Sequence, residues 1–516
     1  MNILFDINRN EAMLHLASHL RRVGKLDKAA LVFNSRAEKE RLSDFTHDFD
    51  ITVRSEFYKP LQTEQQPPLS TIEDAIELSS MWQWVRGDRT LFYIADKGKF
   101  FLDRTQRSHY ELQATVSRVY GNVFHLFQWF QPDLILLTDI VNLSKYIIAE
   151  LAFQRKIPTM FLLPVRIGKY EAFSNTPYEH FKFIYDRLNK LRKGTTQFEH
   201  LDEAERIVFD ILNRKNQYHD SAQMSGVGPT EKEAINASYL AKNYREAVSK
   251  TVRHLAGRNR GKQTRKAIAS AFTKPIEMSK VWLRRQYSLP RYKFDQPVEG
   301  EPFIFFPLHS EPETAISLNA PWIGNQAELA WNIATSIPIE IKLYVKDHPR
   351  MYGLRPVQYY ERMRERSPNV RVLHPLGNTL DFVPSARLVI VVSGTTGLEA
   401  LPNGLPVMTL GACNFQYLTG VTRTRNIALL PQTIRDALRN APQPDAIKRD
   451  ASLFVRACLD ESFPIGWYSD IVIRGPSDYD YSCQEFRDFC VYVERQIDRV
   501  VNDPGWLEPL RTGYTI

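Results

Sequence analysis

Hydrophobic and polar positions alternate in two long stretches of this chain, separated by a polar stretch with no strand-like run. In the first, residues 2–8 read as a strand, and 11–23 as a helix with Leu14, Leu16, Ala17 and Leu20 on its apolar side. Short apolar runs at 29–33 and 50–54 predict two further strands. A Pro- and Gln-rich loop at 59–69 precedes another strand at 90–95. A helical pattern then covers 104–130, followed by a strand at 133–138, a helix at 143–154 and a strand at 158–164. Strands alternating with helices in this way predict a doubly wound α/β domain.

From about 176 to 299 the pattern is helical and polar; a second alternation starts at Phe303-Ile304-Phe305-Phe306. Strands are predicted at 303–307, 341–346, 370–373, 387–392 and 406–410. Helices are predicted at 323–336, 356–366, 379–385, 396–402 and 432–439, with a last one at 481–501. These patterns divide the chain into an N-terminal α/β domain (1–175), a helical segment (176–299), a second α/β domain (300–475) and a C-terminal helix (476–516) expected to pack back on the first domain.

Composition and charge narrow the picture. A 43% hydrophobic share over 516 residues supports more than one core. Four cysteines without metal-ligand spacing predict reduced thiols, a cytoplasmic setting and no structural zinc. The opening residues do not read as a signal peptide, and no run of 18 apolar residues suggests a membrane span. The net charge of +8 is unevenly placed: residues 241–292 hold 14 Lys and Arg against Glu246 and Glu277. An acidic partner would be met there, either an anionic membrane surface or, less favoured, nucleic acid.

The chemistry-bearing residues gather at predicted strand ends. Val391-Val392 runs into Ser393-Gly394-Thr395-Thr396-Gly397 and then a helix containing Glu399. Small residues in such a turn leave backbone N–H groups open to a phosphate. Lys346-Asp347-His348-Pro349 follows another strand; proline stiffens the corner that carries the imidazole. His348 can donate to a phosphate oxygen or protonate a leaving group, and Lys346 can pair with the same phosphate. In the first half, Asp6 and Asn8, Asp139 and Arg166 stand after strands and are candidates to touch a second substrate. No acidic motif falls where it would hold a metal, so metal independence is expected.

The succession of strand–KDHP, strand–SGTTGLEAL and NGLPVMTLG, with FIFFPLHSEPETAI before it, resembles the bacterial capsule polysaccharide biosynthesis glycosyltransferases, Kdo transferases among them. The matching residues lie within 303–411, about a fifth of the chain. The resemblance implies a GT-B-like fold: two Rossmann-like domains, here with a helical basic insertion, the nucleotide of a sugar donor on the second and the acceptor on the first. It also implies that Glu313, next to Glu311, is the general base. His309 stands where the relatives often have Gln, and Glu replaces Asp. The implied donor site comprises His309, Lys346, His348, Pro349, Ser393, Gly394, Thr395, Thr396, Gly397 and Glu399.

The expected activity is transfer of a sugar, first a CMP-linked acid sugar, to a glycan or lipid-linked acceptor. No cofactor is expected beyond the nucleotide sugar itself. The alternatives are an isomerase resembling the UDP-sugar 2-epimerases, a CDP-polyol phosphotransferase and a non-enzymatic polyanion-binding protein.

Overall fold

Two six-stranded sheets frame the molecule. The computed structural model describes residues 1–7, 11–33, 39–40, 49–59, 69–75, 80–88, 91, 107–138, 140–195, 197, 200–212, 237–256, 262–311, 313–467, 470–471 and 479–508. The first sheet contains β1 (Asn2–Asp6), β2 (Lys28–Phe33), β3 (Asp50–Val53), β4 (Leu134–Leu137), β5 (Thr159–Pro164) and β6 (Glu171–Ser174), in the order β3-β2-β1-β4-β5-β6. The second contains β7 (Phe303–Pro307), β8 (Lys342–Lys346), β9 (Val370–Leu373), β10 (Leu388–Val391), β11 (Val407–Thr409) and β12 (Val421–Arg423), in the order β12-β11-β10-β7-β8-β9.

Counted from its own first strand, each sheet has the same order, and only β6 runs antiparallel, against β5. This is the pair of Rossmann-like units of a GT-B-like fold. Continuous apolar runs make the central strands because both sheet faces are covered: Leu388–Val391 and Leu134–Leu137 are buried at every position.

Helices between and after the domains tie them together. The helix Pro444–Glu461 packs on the helix Lys182–Arg192, where Arg192 grips both carboxylate oxygens of Asp450 at 2.8 and 2.6 Å. The C-terminal helix Gln484–Asn502 returns to the first domain and inserts Phe489, Val493 and Ile497 into the cluster around Ile3, Phe5 and Leu136. A larger apolar cluster runs without a break from Ile135, Leu137 and Phe161 of the first domain to Phe305, Val389 and Phe454 of the second.

Some elements depart from the pattern-based expectation. Of the strand expected at 90–95, only Leu91 lies among the described residues, and it sits in a turn. Residues 379–385 form two 3-10 turns, where Pro384 removes a helical N–H donor. β6, β12 and the helix Pro444–Glu461 were not anticipated.

Candidate functional site

In both sheets the strand order reverses beside the first strand, between β1 and β4 and between β7 and β10. Ligands of open parallel sheets bind in the crevice at such points, beyond the carboxyl ends of the strands. The second sheet delivers three loops there: 308–311 with 313 after β7, 347–348 after β8 and 392–394 after β10.

His309 stands at the centre. Its backbone is clasped by Gln326, whose Oε1 accepts its N–H at 2.7 Å while Nε2 donates to its carbonyl at 3.2 Å. Its ring lies against Gly394: a Cβ added there would be 3.1 Å from Cε1 and 3.3 Å from Nε2. Glycine at 394 is therefore the condition for the imidazole to reach the β10 turn. Nδ1 is 3.4 Å from Glu313 Oε2, whereas Nε2 is buried with no hydrogen-bond partner among the described residues.

Glu313 also accepts from the Ser310 hydroxyl at 3.1 Å. Burial works to raise its pKa, but the hydrogen bond and charge of His309, the charge of His348 and the Ser310 hydroxyl together bring it down to about 2.

His348 caps the short turn Pro349–Met351, its Nδ1 accepting the Arg350 N–H at 3.2 Å. The neutral ring then carries its proton on Nε2, the nitrogen left to donate. Burial lowers its pKa to about 4; Glu313 opposes this, while His309, Arg350 and Lys346 reinforce it. The imidazole is neutral at pH 7.

Arg355 braces these loops. It pairs with buried Asp347 at 2.5 Å, with Glu311 at 3.0 Å, and donates to the His309 carbonyl at 3.0 Å. Asp347 in turn accepts from Tyr360 Oη at 2.8 Å and from the His348 N–H at 2.8 Å. Nothing in the local sequence singled out Arg355 or Gln326; each becomes important through a backbone carbonyl brought near by another strand.

The first domain meets the β10 turn through Arg166. This residue adopts a left-handed backbone (φ 62), as does its ion-pair partner Glu179 (φ 60). Arg166 also donates to the carbonyl of fully buried Ser393. Asn319 donates to Glu179 at 3.4 Å, and the second Glu179 oxygen is buried without a hydrogen-bond partner among the described residues. Left-handed backbone is uncommon outside glycine and concentrates where surrounding structure enforces it.

The structure thus brings His309, Glu313, His348, Pro349, Ser393, Gly394 and Arg166 together at the carboxyl end of the second sheet. Thr395 and Thr396 open the following helix, half-buried. Gly397 lets that helix settle against β10 and Phe415, since a Cβ there would lie 2.8 Å from the Phe415 ring and 3.0 Å from Val391 Cγ2. Glu399 follows at the helix end, its pKa raised by burial to about 7.

Two expectations are corrected. Lys346 is buried and donates to the Pro375 carbonyl at 2.7 Å, so its ammonium turns into the protein instead of toward a phosphate. Asp6 is fully buried in an ion pair with Lys145, so it offers no surface to an acceptor. Asn8 and Asp139 lie outside the described residues. Among the described residues no group of three or more His, Cys, Asp or Glu is placed to hold a metal ion.

Comparison with known proteins gives a family context. Residues 223–444 match the model of the family described as "Capsule polysaccharide biosynthesis protein", a span that contains every strand of the second sheet. Protein FixF of Sinorhizobium fredii (strain NBRC 101917 / NGR234) is 30% identical over 162 residues, covering 30% of this chain and 37% of FixF. The match therefore spans little more than a third of that relative's length.

Among solved structures, the β-Kdo 2,7-transferase KpsC of Thermosulfurimonas dismutans is similar at 14% identity, over 61% of this chain and 74% of that one, with a TM-score of 0.29. UDP-GlcNAc 2-epimerase of Neisseria meningitidis is similar at 11% identity, over 89% and 100%, with a TM-score of 0.22. A glycosyltransferase of Rickettsia africae is similar at 10% identity, over 96% and 98%, with a TM-score of 0.26. At such scores no residue role passes from these structures to this chain.

Proposed function

We propose that the chain is a glycosyltransferase of capsular polysaccharide synthesis, which moves a sugar from a nucleotide-sugar donor to a glycan or glycolipid acceptor. The observation that carries the reading is His309 packed on the Gly394 turn, with Glu313 3.4 Å from its ring and His348 in electrostatic contact with both, at the strand-order reversal of the domain matched by the capsule family. The donor phosphate lies against this turn and accepts the Nε2–H of His348. Glu399, at the far end of the turn's helix, faces the nucleoside. A CMP-linked acid sugar is the first donor to test.

In the transfer, an acceptor hydroxyl oxygen bonds to the anomeric carbon as the bond from that carbon to the donor phosphate oxygen breaks. The hydroxyl proton goes to Glu313 and the electron pair leaves with the phosphate. A carboxylate held near pKa 2 is by itself a weak base. An anionic phosphate beside the histidines adds like charge, raises that pKa and makes the base effective once the donor is bound. The reaction inverts the anomeric centre, because the base and the leaving phosphate lie on opposite faces of the sugar. Backbone N–H groups and neutral His348 take up the leaving-group charge without a metal.

The test is a thermal-shift series with CMP, CDP, UDP and GDP, followed by transfer assays with the nucleotide that stabilises. A ligand that binds only the folded state raises its melting temperature as its concentration exceeds Kd. Stabilisation by one nucleotide, lost in His348→Ala, supports the reading. Epimer formation from a UDP-sugar without acceptor would replace transfer with isomerisation.

A further inference from the structure

The strongly basic segment is a distinct structural unit. The helices Ala237–Ala256 and Lys262–Leu283 pack against each other as a hairpin. The second is 22 residues long, about 33 Å at the helical rise. Tyr244 Oη and Ser279 Oγ, 3.1 Å apart, join the pair. The base is anchored on the second domain: Met278 and Val281 are buried with Leu240, Trp282 and Leu354.

Beyond the second helix, Arg284 donates to the Leu354 carbonyl and Arg285 to the Tyr352 carbonyl, both at 2.8 Å. Gly353 (φ +83) makes room for this grip, since a Cβ there would lie 2.6 Å from Arg285 Cγ. The residues held, 352 to 354, follow His348 by four to six positions. The hairpin is thus fixed to the chain that carries His348.

Its other face is exposed and mixed in character. Ile276, Lys280, Leu283 and Tyr287 recur at intervals of four, three and four, on the side opposite buried Met278 and Val281. Ile276, Leu283 and Tyr287 are exposed, and Lys280 pairs only with the neighbouring Glu277 among the ion pairs described. On the first helix, Lys242, Arg245, Val248 and Val252 are exposed, whereas Asn243 and Ala247 are buried. From Ala247 to Ile276 the sequence contains eight Lys and Arg and no acid.

We infer that this hairpin docks the protein on an anionic lipid surface. The cations supply attraction to acidic headgroups, and the exposed aliphatic and aromatic side chains enter the boundary between headgroups and acyl chains. A nucleic acid would use the cations but gives no place to Val248, Val252, Ile276 and Leu283. No helix among the described residues is long and apolar enough to cross a membrane, so the contact is peripheral. The rigid base then holds the crevice at a fixed position relative to the bilayer. The inference does not depend on the donor reading.

The test is co-sedimentation of the full chain with phosphatidylcholine vesicles and with vesicles that also contain phosphatidylglycerol, at low and high salt. Binding to the anionic vesicles alone, released by salt, is expected. The triple variant I276S/L283S/Y287S and the double variant K242E/R245E should each weaken it about tenfold or more. All five positions are on the surface, and unchanged melting confirms folding. Equal binding to neutral vesicles, or no binding to either, overturns the inference. So does a triple variant that binds as well as the parent while duplex DNA competes the vesicles away, which assigns the surface to nucleic acid. Nucleotide-dependent stabilisation, measured on the same variants, separates the two proposals: it persists where docking alone fails, and its absence with docking intact rejects the donor reading.

Discussion

Both α/β domains bury an ion pair near the carboxyl end of a strand, and they use it differently. At the end of β1, Asp6 is sealed with Lys145, and neither side chain reaches solvent. After β8, Asp347 is sealed with Arg355, but Arg355 continues to Glu311 and to the His309 carbonyl. The first pair satisfies an interior. The second braces two loops that present imidazoles, one with a buried nitrogen that has no hydrogen-bond partner among the described residues. A buried charge pair does not identify a site by itself. A buried polar atom without a partner, beside charged neighbours in a crevice, does so more sharply, because it is costly unless a ligand or water completes it.

The two domains should differ most at His348. His348→Ala should lower transfer by about 10²–10⁴-fold and remove nucleotide-dependent stabilisation, while circular dichroism stays unchanged; normal activity would move the site elsewhere. Removing the cation of each buried pair, as Lys145→Met or Arg355→Met, strands a carboxylate and should cost about 3–5 kcal/mol of stability in urea titrations. The two should then part: nucleotide stabilisation survives in the folded fraction of Lys145→Met and falls in Arg355→Met.

A subtler change is Gly394→Ala. Its methyl group meets the His309 ring at 3.1 Å and must displace it. Nucleotide binding should weaken by about 1 kcal/mol, roughly fivefold in Kd by titration calorimetry. Global stability should change little.

A separate test reads the pH dependence of stability. Burial lowers His348, and His180, whose Nδ1 lies 2.8 Å from Asn175 Oδ1 just after β6, from 6.5 to about 4, so between these values the unfolded chain binds protons that the folded chain refuses. Stability from these groups is therefore full above pH 6.5 and falls on acidification toward 4. Glu399, raised from 4.5 to about 7, has the opposite slope, stability being lost as pH rises through 7. Glu399→Gln should steepen the gain in stability from pH 5 to 7, measured by urea unfolding at both values.

Much of the frame was legible in the order of residues. Strands 303–307 and 370–373 lie where the apolar runs placed them, and the runs at 387–392 and 406–410 contain β10 and β11. The helix Pro444–Glu461 also had its signal, with Ile447, Ala451, Phe454, Val455 and Cys458 at helical spacing. β6 and β12 had none: EAFS and VTR are too short for a period, and tertiary pairing alone makes them strands.

The turn at Ser393–Gly397 and the His-Pro corner were visible because each needs particular residues next to one another: glycine for close approach, proline for rigidity. Lys346 and Asp6 were misplaced because a charged residue at a strand end looks the same in sequence whether it faces solvent or a buried partner. That partner, Lys145 or the Pro375 carbonyl, stands 139 or 29 residues away. Local pattern determined which segments became strands and where glycine, proline and histidine punctuate them. Which charges are neutralised and which polar atoms remain open follows from how the segments pack, because burial and pairing belong to the space between segments and not to any one of them.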